Sequence, residues 1–111
     1  MKKEKLDLIC RKMAECYHRI FGDKVREIYL YGSYARGDYD EESDVDFAAI
    51  VDEDRLPMQQ KLKQLWYEAD DIDPDYEALI SPTAIPSREF EKYKHHMAYY
   101  KNILKEGRRI E

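Results

Sequence analysis

Leu6, Ile9, Cys10, Met13, Tyr17, Ile20 and Phe21 recur at steps of three and four residues, which places them on one helical face, and Gly22 ends the run. The pattern predicts an amphipathic helix from Lys3 to Phe21, its stripe packed on a sheet. From Val25 to Tyr31 the residues turn β-branched, aromatic and aliphatic and close on Gly32-Ser33, a strand handing over to a turn. A second strand is predicted at Asp44 to Val51. Tyr34 to Ser43 between them is too polar for core and too short for a crossover helix, so the two strands are expected to be antiparallel neighbours. After a polar turn at Asp52 to Asp54, Pro57 suits the first turn of a helix carrying Met58, Leu62, Leu65, Trp66 and Ala69 and fading at Asp70-Asp71. Tyr76 to Ile85 alternates between Pro74 and Pro86 as a third strand, with Pro82 pointing to an edge or a bulge. Ser87 as cap, Tyr93, Met97, Tyr100 and Leu104 as stripe, and Gly107 as a left-handed C-terminal residue describe a last helical region. The sum is one α/β (α+β) domain over residues 1–111, a mixed sheet flanked by helices.

Composition narrows the classes of function. Nineteen basic against twenty-four acidic residues give a net charge of −5 with no long block of one sign, which speaks against a direct nucleic-acid partner. The longest apolar run, Phe47 to Val51, is too short for a membrane span or a signal-peptide core, so the expected location is cytoplasmic, with no membrane partner. Cys10 and Cys16 have neither disulfide nor metal spacing and read as small packed hydrophobes.

The chemistry concentrates in Tyr31 to Phe47, YGSYARGDYDEESDVDF. A strand ending in Gly32-Ser33 offers backbone N–H groups with no side chain on Gly32 to block a close approach, and a hydroxyl beside them, which suits phosphate. A short helical turn after Ser33 would add its dipole to that attraction. Asp44 and Asp46, two apart on a strand, point to one face with carboxylates about 6.6 to 7 Å apart. At an effective dielectric of about 20 they repel by roughly 2 kcal/mol, a cost that a divalent cation reverses. Mg²⁺ takes one or two carboxylates and completes its shell with phosphate oxygens and water, which is the combination this stretch offers. The bland alternative leaves Gly32-Ser33 as punctuation, Asp44 capping the turn with Ser43, and Asp46 solvated.

Taken together, Gly32-Ser33, the spacer Tyr34 to Ser43 and Asp44-Val45-Asp46 resemble the hallmark of the nucleotidyltransferase superfamily typified by DNA polymerase beta. With Ala35-Arg36-Gly37 and Ser43 in agreement, the chain looks like the minimal nucleotidyltransferases, small antitoxin partners of HEPN-type ribonuclease toxins. The resemblance covers most of the chain, including Leu79-Ile80-Ser81-Pro82 before a Phe90-containing helix. It implies the nucleotidyltransferase fold and Mg²⁺-dependent transfer of AMP from ATP to a hydroxyl, in this group a tyrosine of the HEPN-type toxin. Gly32 and Ser33 would then hold the β- and γ-phosphates, Asp44 and Asp46 the metal, and Arg36 would be a phosphate clamp unless it is a surface ion-pair partner.

One position departs from the family pattern. The third carboxylate of active members aligns with Leu79, which can neither ligate a metal nor act as a base. Glu77, expected one pleat repeat away on the same strand face, is the candidate to replace it, with Asp75 the alternative if the register is shifted. Two other functions stay open: a nucleotide-binding antitoxin that neutralises its toxin without catalysis, and a small-molecule nucleotidyltransferase of the aminoglycoside-modifying kind. The latter usually carry extra helices or a second domain for the acceptor, so here the acceptor is expected on another protein or subunit. His95-His96 lacks a ligand partner at metal spacing and reads as a surface pair. Tyr34 and Tyr39, in the motif loop, are candidates for stacking on a base or a partner.

Overall fold

The computed structural model describes residues 1–73, 75 and 77–111. Helix α1 spans Lys3–Phe21 as its stripe predicts, burying Ile9, Cys10, Met13, Cys16, Tyr17 and Phe21. Both cysteines are free and buried, so they act as packed hydrophobes. Gly22, at φ 62°, stops the helix, and a single tight turn leads into β1, Val25–Tyr31. There follow α2 (Ser33–Arg36), β2 (Val45–Val51), α3 (Arg55–Ala69), β3 (Ile80–Pro86), α4 (Ser87–Tyr93), α5 (Ala98–Glu106) and β4 (Arg108–Arg109).

The strands form one mixed sheet in the order β3-β2-β1-β4. β1 runs antiparallel to β2 and β4, whereas β3 is parallel to β2, because α3 crosses over between them. Alternation sorts the two faces. Ile28, Leu30, Val45, Phe47, Ala49 and Val51 face α1 and α3, while Tyr29, Ala48 and Ile50 face Phe90, Tyr100 and Ile103 of α4 and α5. β2 is central and covered on both faces, so its residues are buried except Asp46. Pro82 lies on the edge strand β3, where its missing N–H costs no ladder bond on the open side.

Several expectations give way to packing. The last helical region is two helices, α4 and α5, separated by a turn at residues 94–97. Phe90, Tyr100 and Ile103 carry its burial, whereas Met97 and Leu104 are exposed. Trp66 faces solvent too, and α3 buries Met58, Leu65 and Ala69. Ser87 is the first helical residue rather than the cap, and its hydroxyl donates to Asp52 Oδ1 at 2.5 Å. Gly107 has φ −72°, which any residue can adopt. Glycine is needed there for space, because a Cβ would overlap the Ile103 carbonyl oxygen. Gly107→Ala is therefore expected to cost about 1–3 kcal/mol by overpacking, measured as a fall in urea midpoint at unchanged slope.

The third strand begins at Ile80, later than its alternation suggests, and Pro74 and Tyr76 lie outside the described residues. Asp73 explains the delay. Its carboxylate, 3% exposed, accepts the N–H groups of Asp75 at 3.0 Å and Glu77 at 2.9 Å, so this backbone turns instead of pairing. Lys5 of α1 clasps the same turn, with Nζ at 3.0 Å from Asp73, 2.9 Å from Asp75 and 2.7 Å from Glu77. Burial pushes the Asp73 carboxyl up, but Lys5 and the two backbone N–H groups outweigh it and hold the group below its ordinary value. A carboxyl depressed by folding contributes stability that is present above its unfolded pKa and lost as pH falls through its folded one. Asp73→Ala is expected to destabilise the chain by about 2–4 kcal/mol at neutral pH. In urea titrations the difference from wild type should shrink as pH falls below about 4, the unfolded value.

Candidate active site

The site stands where β1 ends. Gly32 has φ 74° and ψ −157°, and its carbonyl accepts the N–H groups of Ala35 and Arg36, both at 3.1 Å. That closes the single helical turn α2, whose first N–H groups have no carbonyl within the turn to bond. Gly37, at φ 88°, ends it with its N–H on the Ser33 carbonyl at 2.8 Å.

The loop that follows is shaped by Asp40 and Ser43. Asp40 Oδ1 accepts the Glu42 N–H at 2.9 Å and the Ser43 hydroxyl at 3.2 Å, and Ser43 Oγ accepts the Asp40 N–H at 3.0 Å. This knot delivers Asp44 to the start of β2. The sequence reading passed over Asp40, although an Asx-type turn three residues before a Ser is a readable signal.

Asp46 comes together with Gly32, and Asp44 stands near enough for its charge to act on Asp46. Asp46 lies directly across from Tyr31 in the β1–β2 register. A Cβ placed on Gly32 would stand 2.5 Å from Asp46 Oδ2, so the carboxylate rests against bare backbone that only glycine leaves open. Burial first, then the Asp44 charge, push the Asp46 carboxyl up to about 6, with Arg36 opposing. Asp44, one residue ahead of the strand rather than on it, is exposed. A half-buried carboxylate whose ionisation the neighbouring Asp44 charge disfavours, beside a backbone turn without a Cβ, fits a hard divalent cation shared with phosphate. Among the described residues no three His, Cys, Asp or Glu side chains are grouped so as to hold a metal ion, so ligands beyond the two aspartates would come from substrate and water. Arg36 is exposed and ion-paired with Asp38 at 3.2 Å and Glu106 at 3.4 Å, within electrostatic reach of Asp46.

Glu77 is not where the strand reading expects it. It sits in the bend before β3, paired with Lys5, and lines a recess with Met1, Tyr34, Tyr39, Asp40 and Glu41. Asp75 is exposed and paired with the same lysine. Leu79 and Ser81 are the residues of this segment that stand beside the aspartates: the Val45 N–H donates to the Leu79 carbonyl at 2.8 Å, and Ser81 is the register partner of Asp46. Tyr34 and Tyr39 stack on each other with centroids 4.2 Å apart, Tyr34 buried beneath Tyr39. His95 and His96 are exposed. A cavity of about 490 Å³ opens at the other end of the sheet around Asp52, Arg55, Ser87 and Glu89 and contains none of the motif residues.

A glycine turn closed over a strand carboxylate, with a second carboxylate two residues before it, has the chemistry to take a phosphate and a divalent cation together. Residues 10–110 match the family described as "Nucleotidyltransferase domain". The chain belongs to that family and is a nucleotidyltransferase. Among its relatives is a Methanocaldococcus jannaschii protein named "Putative protein adenylyltransferase", 44% identical over 74 residues, which span 67% of this chain and 73% of that protein. A second protein of the same name and organism is 33% identical over 85 residues, 77% of either chain. Two solved structures share the fold at 17% identity and a TM-score of 0.54. One is titled as a toxin-antitoxin MntA-HpeT mutant and is covered over 91% of this chain and 70% of that one. The other is a toxin-antitoxin with AMP-PNP, covered over 90% and 70%.

Proposed function

We propose that this chain, as one nucleotidyltransferase domain in the cytoplasm, moves AMP from ATP to a tyrosine hydroxyl of a HEPN-type toxin and so acts as its antitoxin. The observation that carries the reading is Asp46 Oδ2 lodged against Gly32, where a Cβ would come within 2.5 Å. It joins the phosphate turn and the carboxylate pair into one site. The protein-modifying role is supported by the relatives named as protein adenylyltransferases, and the toxin partner and the nucleotide by the structural neighbours, a toxin-antitoxin mutant and a toxin-antitoxin with AMP-PNP.

Gly32 and Ser33 hold the β- and γ-phosphates through backbone N–H groups and the Ser33 hydroxyl. Arg36 exchanges Asp38 and Glu106 for phosphate oxygens, where its planar fork binds two at once. Asp44 and Asp46 would hold Mg²⁺, which when bound neutralises charge building on the triphosphate. The acceptor oxygen bonds to the α-phosphorus, and the bond to pyrophosphate breaks. Asp44 or Asp46 takes the acceptor's proton, Glu77 being engaged by Lys5 at 2.7 Å.

The test combines purified chain, Mg²⁺, α-labelled ATP and the product of the neighbouring gene. Label on that partner, lost with Asp46→Asn, is the expected result. Binding and neutralisation without label would leave a binding antitoxin, and neither binding nor label would remove the partner.

A further inference from the structure

Side chains of β2 alternate, so Asp46 shares its face with Ala48 and Ile50, the face that α4 and α5 cover. The opposite face is closed by α1 and α3 over Val45 and Phe47. Asp46 therefore opens toward α5. That helix is joined to the site at both of its ends. At its C-terminus Glu106 reaches Arg36 of the phosphate turn at 3.4 Å. In its first turn Tyr99 meets Tyr31, hydroxyl to hydroxyl at 2.9 Å, with ring centroids 5.9 Å apart and planes at 83°. Tyr31 is the cross-strand partner of Asp46, which puts their Cβ atoms about 5 Å apart on one face. Burial, then Tyr99, then the Asp46 charge push the Tyr31 hydroxyl above its ordinary pKa. Tyr31 is half-buried, whereas Tyr99 is 43% exposed. Edge-type contacts with Tyr31 and Tyr100 fix the orientation of the Tyr99 ring. Among the described residues the other exposed aromatic rings lie elsewhere: Trp66 and Tyr67 are on α3, across the sheet, and Tyr39 is stacked on Tyr34.

We infer that Tyr99 is the platform on which the base of the nucleoside triphosphate stacks, with Tyr31 the positioning residue that holds its ring; this rests on the transferase reading above. In an in-line displacement the attacking and leaving oxygens take the two axial places at the reacting phosphorus, which leaves the nucleoside's own oxygen an equatorial one. The nucleoside thus departs across the line of reaction. With the α1 and α3 face closed and Asp46 opening toward α5, it departs along α5, where Tyr99 is the exposed ring. A base stacks on a phenol ring whatever its sequence of donors and acceptors, and a two-ring purine covers more of it than a one-ring pyrimidine does. The platform therefore favours purine triphosphates.

The experiment compares the affinity of the full chain, in Mg²⁺, for α,β-methylene-ATP, α,β-methylene-CTP and inorganic tripolyphosphate, which has the phosphates and no nucleoside. Wild type is expected to bind the adenine analogue tightest. Tyr99→Ala should weaken that analogue by about tenfold or more, erase its advantage over the cytosine one, and leave tripolyphosphate unchanged. Tyr99→Phe and Tyr31→Phe keep both rings and remove the bond between them, so each should lose less than Tyr99→Ala. Equal affinity of wild type and Tyr99→Ala for the adenine analogue overturns the platform while the transferase reading stands. An equal fall for the analogue and for tripolyphosphate overturns it too, because it would mark a structural role. A wild-type chain that binds neither the analogues nor tripolyphosphate overturns both readings.

Discussion

Replacing Asp46 with asparagine is expected to lower nucleotide transfer by about a thousandfold without loosening the fold. The side chain of Asp46 belongs to the one incompletely buried position of β2, and its Oδ2 rests against Gly32. Nothing in the core depends on its charge. Burial and the Asp44 charge hold its carboxyl up at about 6, so the ionised form is disfavoured by folding. A neutral asparagine relieves that burden, and the variant should melt at or above the wild-type temperature. Its transfer rate falls because an amide is a poor ligand for a hard divalent cation. Asp44→Asn should act in the same direction. Single-turnover transfer and calorimetry on the two variants check both halves of the claim; an active Asp46→Asn chain, or an inactive and unfolded one, would contradict it.

Gly32→Ala is expected to have the next largest effect. Two penalties coincide there: a φ of 74° with ψ −157°, and a Cβ arriving 2.5 Å from Asp46 Oδ2. The strain should cost about 1–3 kcal/mol of stability, and the displaced carboxylate should reduce transfer by about a hundredfold or more. Gly37→Ala separates these causes, because Gly37 also has positive φ, 88°, but open space where its Cβ would go. It should lose about 1 kcal/mol and keep most of its transfer rate. Equal losses of transfer in the two variants would mean that backbone strain, not the meeting with Asp46, governs the site.

Most of this architecture was legible because it follows from periodicity. The stripe of α1 and the strands beside Gly32 have their hydrophobic period and their terminators in the sequence, and their bounds fall within a residue of the expected ones. The failures have physical causes. Residues before Ile80 alternate like a strand, but Asp73 captures the N–H groups of Asp75 and Glu77, a competition that a hydropathy pattern does not register. That displacement is also why Glu77 is found on Lys5 in a bend instead of on the strand. No glycine or proline marks the break between α4 and α5; there the N–H groups of His96 and Met97, both 2.9 Å from the Tyr93 carbonyl, form the turn. β4, two exposed arginines, has no alternation to read and exists because β1 offers it an edge. Within the candidate site, the meeting of the Gly32 turn with the Asp44–Asp46 strand start followed from their spacing. The places of Leu79 and Ser81 needed the parallel register of β2 and β3.

The measurement that bears most directly on the central claim is calorimetric titration of the chain with α,β-methylene-ATP, with Mg²⁺ and with the metal chelated. The site described here should bind the analogue with Mg²⁺ and lose it on chelation, and Asp46→Asn should lose it in either condition while still folded. Binding that is indifferent both to Mg²⁺ and to Asp46 would mean that the nucleotide sits elsewhere and that the Gly32–Asp46 junction is not the reaction centre.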